Sequence, residues 1–141
     1  MFYISAYMER NRSQYYERLL AISRDNDWNK WIDFFLQAII EQSEENSRKA
    51  VSILELYKEM KSTVPEMIST KYSIQVVDGL FSKPIFKSTD IIILTGRNKM
   101  AARRILNPLI ENGILKTVQE AKGRRPAVYA FSRLLEITEK V

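Results

Sequence analysis

Neither glycine nor proline occurs before Pro65; the four glycines and four prolines of this 141-residue chain all lie from there on. Those two residues are the strongest local punctuators of a chain, so a first half without them is expected to form long, uninterrupted helices. The apolar spacing agrees. Tyr3 and Tyr7, then Tyr15, Tyr16, Leu19 and Leu20, recur at three- and four-residue steps. Asp25, Asn26 and Asp27 interrupt the pattern, and the Asp27 carboxylate is placed to accept from the free N–H groups of a second helix. That helix is expected from 28 to about 62, with a stripe of Trp31, Phe35, Ile39, Ala50, Ile53, Leu54, Tyr57 and Met60. At ~1.5 Å per residue it would be about 50 Å long, more than so small a domain covers. It is therefore expected either to break near 43–47 or to pack on something outside the chain.

At Pro65 the pattern changes. Proline suits a first turn but not a helix interior, so it is expected to close the long helix and open a region of short elements. Helices are expected over 71–81, 90–94 and 98–112, with Ser88 or Thr89 capping the second and Asn98 the third. Thr95 and Gly96 form the turn between the last two. Gly113 stands where a left-handed C-cap is favoured, and Pro108 should kink the helix it interrupts. Residues 114–119 and 127–131 read as two strands joined by the basic turn 120–126, and Ser132 can cap a last helix over 133–140. Helix, helix, glycine turn, helix, strand, basic turn, strand is the order of a winged helix-turn-helix. The expected fold is mainly α: a helical segment over 1–62, then a winged helix-turn-helix with a small β-hairpin over 63–141.

The formal net charge of +5 is unevenly divided: residues 1–62 carry net −1 and residues 63–141 net +6. Within 95–125 eight basic residues face only two acids, Glu111 and Glu120. Such a local field suits a polyanion. On the helix 98–112, Ala102, Leu106, Leu109 and Ile110 share the side expected to face the core. Lys99, Met100, Arg103 and Arg104 point elsewhere, and Asn98 stands at the end that would meet the groove. The hairpin turn offers Lys122, Arg124 and Arg125 to phosphates or the minor groove. These eight residues are the candidate DNA-binding set. In the competing reading the cations only solvate the surface, and Met100 is an exposed contact for a protein partner.

With no histidine and no cysteine, the chain has no Ser-His-Asp triad, no imidazole proton shuttle, no disulfide and no Cys/His zinc site. The glycines are scattered singly, without a phosphate-cradling loop. No apolar run approaches the ~20 residues of a membrane span, and the first residues lack the features of a signal peptide, so a cytoplasmic protein with no membrane partner is expected.

The run SAYMERNRSQYYERLL over 5–20, followed by DWNKWIDFFL over 27–36, resembles the C-terminal helices of the Fic domain. The second half resembles the winged helix that follows that domain in many bacterial Fic proteins, through 102–106 and 109–115. Together the resemblance covers nearly the whole chain. Fic proteins typically transfer AMP from ATP to a target hydroxyl, using a loop HPFxxGNGRxxR whose histidine is the general base. That loop lies N-terminal to the helices matched here, and this chain has no histidine. The resemblance thus implies a non-catalytic C-terminal region of a Fic-family protein, with no catalytic residue and no cofactor, not itself an adenylyltransferase. Tyr15 and Tyr16 match a pair that lies near the family's adenine pocket, here a wall without its floor. The family's inhibitory Ser/Thr-x-x-x-Glu-Gly/Asn is not met, because Arg10 follows Glu9. The resemblance also implies that residues 1–60, exposing Trp31, Phe35 and Ile39, associate with a second copy or with the missing Fic core. The winged helix is then expected to bind DNA, in regulation or autoregulation, or to position protein targets for an upstream Fic domain.

Overall fold

The computed structural model describes residues 4–139, so Tyr3 and Lys140 of the expected pattern lie outside the described residues. Packing divides the chain into units 1–51 and 52–141, each with its own core.

The first unit contains α1 (Ile4–Arg10), α2 (Arg12–Asp25) and the opening turns of α3 (Trp28–Met67). Asn11 makes the α1–α2 join, donating both its backbone N–H and its Nδ2 to the Tyr7 carbonyl at 3.0 Å. Asn26 ends α2 at φ 55°, in the left-handed region that asparagine tolerates. Asp27 caps α3 as expected, accepting the Lys30 N–H at 3.3 Å and pairing with Lys30 Nζ at 2.8 Å. Those contacts hold its carboxyl below the usual range.

The core here is small: Tyr7, Phe34 and Ala38, with Ile4, Met8, Tyr15 and Trp31 packed around them. Because Phe34 and Ala38 face Tyr7, the outward row of α3 differs from the expected one. Trp31, Phe35 and Ile39 are half-buried, and the Trp31 ring lies 5.6 Å from Tyr15 and 6.5 Å from Phe35. Trp28, Ile32, Leu36 and Ile40 are the exposed row, each 48–53% accessible. The helix does not break at 43–47. Glu45 there pairs with Lys49 at 3.1 Å and Arg10 at 3.5 Å, and Glu44 with Arg48 at 3.9 Å.

In the second unit α3 runs through Pro65 to Met67 instead of closing there. An interior proline costs roughly 3 kcal/mol. Val64 and Ile68 on either side of it are buried, each worth about 1.5 to 3 kcal/mol, so tertiary burial outweighs the local penalty. Leu56 and Met60 join the same core, which is why packing groups the later turns of α3 with the C-terminal elements. On α3 itself the inward positions are Leu56, Met60 and Val64, while Ala50 and Leu54 of the expected stripe are exposed.

The remaining elements are α4 (Ser73–Ser82), β1 (Ile85–Lys87), α5 (Ser88–Thr95), α6 (Lys99–Glu111), β2 (Lys116–Gln119), β3 (Val128–Ala130) and α7 (Ser132–Glu139). β1 has no counterpart among the elements expected from the sequence. It turns the hairpin into a three-stranded antiparallel sheet in the order β1-β3-β2, pairing Phe86 with Tyr129 while Thr117 takes that residue's other side. Neither Ser88 nor Thr89 caps α5; Asp90 satisfies that end from inside the helix, accepting the Lys87 N–H at 2.9 Å. Val76, Val77, Leu80, Leu106, Leu109 and Phe131 close the core. The order α4-β1-α5-α6-β2-β3, with β3 central, is the winged helix-turn-helix arrangement.

Candidate nucleic-acid interface

Gly96 ends α5 at φ 60°, a left-handed cap that lets the chain reverse into α6. Asn98 then caps α6: its Oδ1 accepts the Ala101 N–H at 3.0 Å. That oxygen is held by the helix, and the amide Nδ2 keeps both of its donors for a ligand. Ala102, Ile105, Leu106 and Leu109 are buried, which fixes the roll of α6 and turns Lys99, Met100, Arg103 and Arg104 to solvent. Met100 is 66% exposed, unusual for so large an apolar side chain. Pro108 does not interrupt α6; its carbonyl accepts both the N–H and the Nδ2 of Asn112.

The two arginines leave α6 in different directions. Arg103 lies close enough to the Tyr129 hydroxyl on β3 to oppose the rise that burial and then Glu120 impose on it. Arg104 lines a pocket of about 550 Å³ beside Lys71, Tyr72 and Arg97.

The hairpin turn is tight. Lys122 and Arg125 exchange backbone hydrogen bonds at 3.2 and 3.0 Å around Gly123 and Arg124. Gly123 has φ 58° and Arg124 does not have positive φ, the pattern of a type II′ turn with glycine at its first central position. The turn therefore holds Lys122, Arg124 and Arg125 together at one exposed tip.

Charge pairing distinguishes the cations of this face from most arginines elsewhere, although Arg24, Lys58, Lys61 and Lys87 are also without an ion pair among the described residues. Among the described residues, the ion pairs involve Arg10, Arg12, Arg18, Lys30, Arg48, Lys49, Lys83 and Arg133. None involves Lys99, Arg103, Arg104, Lys122, Arg124 or Arg125, nor Lys71, Arg97 or Lys116, which the candidate set did not include. Lys116 could have been read from the basic run 95–125; Lys71 and Tyr72 lie outside that run, and only the fold brings them to Arg97.

Tyr15 and Tyr16 stand in the other unit. Their rings meet edge-on at 5.3 Å; Tyr15 packs on Trp31, and Tyr16 is exposed with the Arg12 guanidinium 5.7 Å from its centroid. A concavity of that unit is lined by Tyr7, Arg18, Lys30, Asp33 and Phe34 and not by this pair. Among the described residues no group of acids could hold a metal, and no helix is long and apolar enough to cross a membrane.

The fold and its face define a winged helix-turn-helix with an unpaired basic surface on α6 and the wing. No protein-family model matches the chain.

Proposed function

We propose that the winged helix binds duplex DNA, with α6 in the major groove and the hairpin tip on the flanking backbone, as part of transcriptional regulation or autoregulation in a bacterial cytoplasm. The observation that carries this reading is the set of exposed cations on α6 and the hairpin that form no ion pair, whereas most of the other arginines do. Unpaired guanidinium and ammonium groups keep their full field for phosphates, and release of condensed counterions then drives binding. Lys99 and Arg103, one turn apart, are the groups placed to reach base edges or phosphates, with Met100 beside them as an apolar contact. Lys122, Arg124 and Arg125 position the domain without reading sequence.

Fluorescence anisotropy on short duplexes at ~50 mM salt tests it, since electrostatic binding is strong there. Binding is expected, weakening steeply with salt, and Lys99→Ala with Arg103→Ala should reduce affinity about tenfold or more. No detectable binding at that salt would overturn the reading.

A second reading is favoured by the exposed row Trp28, Ile32, Leu36 and Ile40 on α3. In it the chain is the non-catalytic C-terminal region of a Fic-family protein. Residues 1–60 dock on a Fic core or on a second copy, and the winged helix positions protein targets for AMP transfer performed by that core. Large apolar rows on a surface usually find a partner.

A further inference from the structure

The pocket beside α6 lies between the segment after α3 and the start of α6, and its polar lining is Ser69, Thr70, Lys71, Tyr72, Arg97 and Arg104. Three cations and three hydroxyls line it, and no carboxylate does. Lys71 Nζ lies 5.2 Å and the Arg97 guanidinium 5.8 Å from the centroid of the same Tyr72 ring. None of the three cations has an ion-pair partner among the described residues. Gathering like charges in a concavity without a counter-ion is unfavourable, and an anion seated there relieves it. The tyrosine registers the same field: the Arg97 guanidinium first, then the charge on Lys71, bring its hydroxyl below the ordinary phenol range. Whatever stabilises a phenolate there stabilises other oxyanions.

We propose that this pocket is a phosphate site, in which Lys71, Arg97 and Arg104 hold a phosphate group against the Tyr72 hydroxyl. Two guanidinium forks and an ammonium suit a tetrahedral polyoxyanion better than a planar carboxylate, and hydroxyls of Ser69 and Thr70 supply further donors. At about 550 Å³ the pocket has room for a phosphate with part of its ester. Arg104 belongs both to this pocket and to the exposed face of α6. The simplest source is therefore a backbone phosphodiester of the DNA, an assignment that rests on the DNA-binding reading; the other source is a free phosphorylated molecule.

The experiment uses the full chain labelled with nitrogen-15, titrated separately with inorganic pyrophosphate and a short duplex, beside the Lys71→Gln/Arg97→Gln variant. Pyrophosphate is expected to shift the amides of Lys71, Tyr72 and Arg97 saturably, and the double substitution to abolish those shifts. With DNA, the variant should lower the slope of log affinity against log salt by about 1 to 2 without changing sequence preference. Saturable pyrophosphate shifts in a chain that binds no DNA would uphold the phosphate site, assign it to a free phosphorylated ligand, and defeat the DNA reading alone. DNA binding whose slope the variant leaves unchanged, with pyrophosphate shifts absent or confined to Lys99 and the hairpin tip, would overturn the pocket and leave the DNA reading standing. If neither ligand shifts the pocket amides, the phosphate site is wrong.

Discussion

Asp90 gathers two donors on one carboxylate oxygen: the Lys83 ammonium at 2.7 Å and the Lys87 backbone N–H at 2.9 Å. The Lys83 contact and then the Lys87 N–H hold its carboxyl below the usual range. The group ties the end of α4 to the first turn of α5, where an N-terminal carboxylate is also favoured by the helix dipole. A carboxylate whose pKa is depressed by folding stabilises the fold at pH values above its unfolded pKa of about 3.9, and that contribution is lost as pH falls through the lower folded value. With a partly exposed site and a mostly exposed lysine, Asp90→Asn is expected to cost about 1 kcal/mol at neutral pH. That corresponds to roughly 3 °C in melting temperature. Thermal unfolding followed by circular dichroism at pH 7 and again below pH 3 checks it: the gap between the two proteins should close in acid. A gap of equal size at both pH values would mean that packing, not charge, is what the substitution disturbs. The Glu59–Arg133 pair is bidentate at 2.6 and 2.7 Å, yet both side chains are nearly half exposed, so solvent screening leaves it a smaller role than its geometry suggests.

At the scale of single elements, α6 carries two jobs in one residue. Asn98 caps the helix through Oδ1 and also stands beside Lys99 at the exposed end. Aspartate is as good a cap as asparagine but brings a negative charge. Asn98→Asp is therefore expected to leave the melting temperature nearly unchanged while weakening duplex DNA binding several-fold, whereas Asn98→Ala should cost about 1 kcal/mol of stability. Anisotropy and thermal melts on the same samples separate the two effects, and an Asn98→Asp protein that binds DNA as tightly as the parent would remove this end of α6 from the interface. The capping asparagine, the left-handed glycines at 96 and 113 and the basic hairpin are all legible from local chemistry, because each acts on its own few residues. β1 is not. Ile85 and Phe86 favour a strand, but three residues are too few to show a pattern, and they become a strand only by pairing with β3, some forty positions later. The end of α3 is hidden for the same reason: Pro65 speaks locally against a helix, and the burial of Val64 and Ile68 that overrides it is a property of the assembled core. The outward row of α3 lies one position away from the one the spacing suggests, since four neighbouring aromatics leave the periodicity ambiguous until Tyr7 selects Phe34. The phosphate pocket cannot be read from sequence at all, because Lys71 and Arg97 are joined only through Tyr72 in the folded unit.

For the whole molecule, the two units differ in both charge and self-sufficiency. Residues 1–51 carry seven basic and eight acidic side chains, residues 52–141 fifteen and nine. Among the described residues, the second unit closes a core of seventeen buried side chains, while the first has three. A unit with so little buried surface cannot offset the conformational entropy of its own ordering, and it leaves Trp28, Ile32, Leu36 and Ile40 half in water. Covering such side chains is worth about 1.5 to 3 kcal/mol each when complete, more than the near-neutral charge of this unit can oppose by repulsion. Self-association through this row is the expected result: light scattering at micromolar concentration should give at least twice the monomer mass of 16.5 kDa. Leu36→Glu, on an already exposed position, should restore the monomer without loss of helical circular dichroism and without touching DNA affinity per winged helix. A parent chain that stays monomeric would mean that the row is not closed by a second copy and would leave the Fic core as its remaining proposed cover. A Leu36→Glu protein that stays associated would move the contact off α3 altogether.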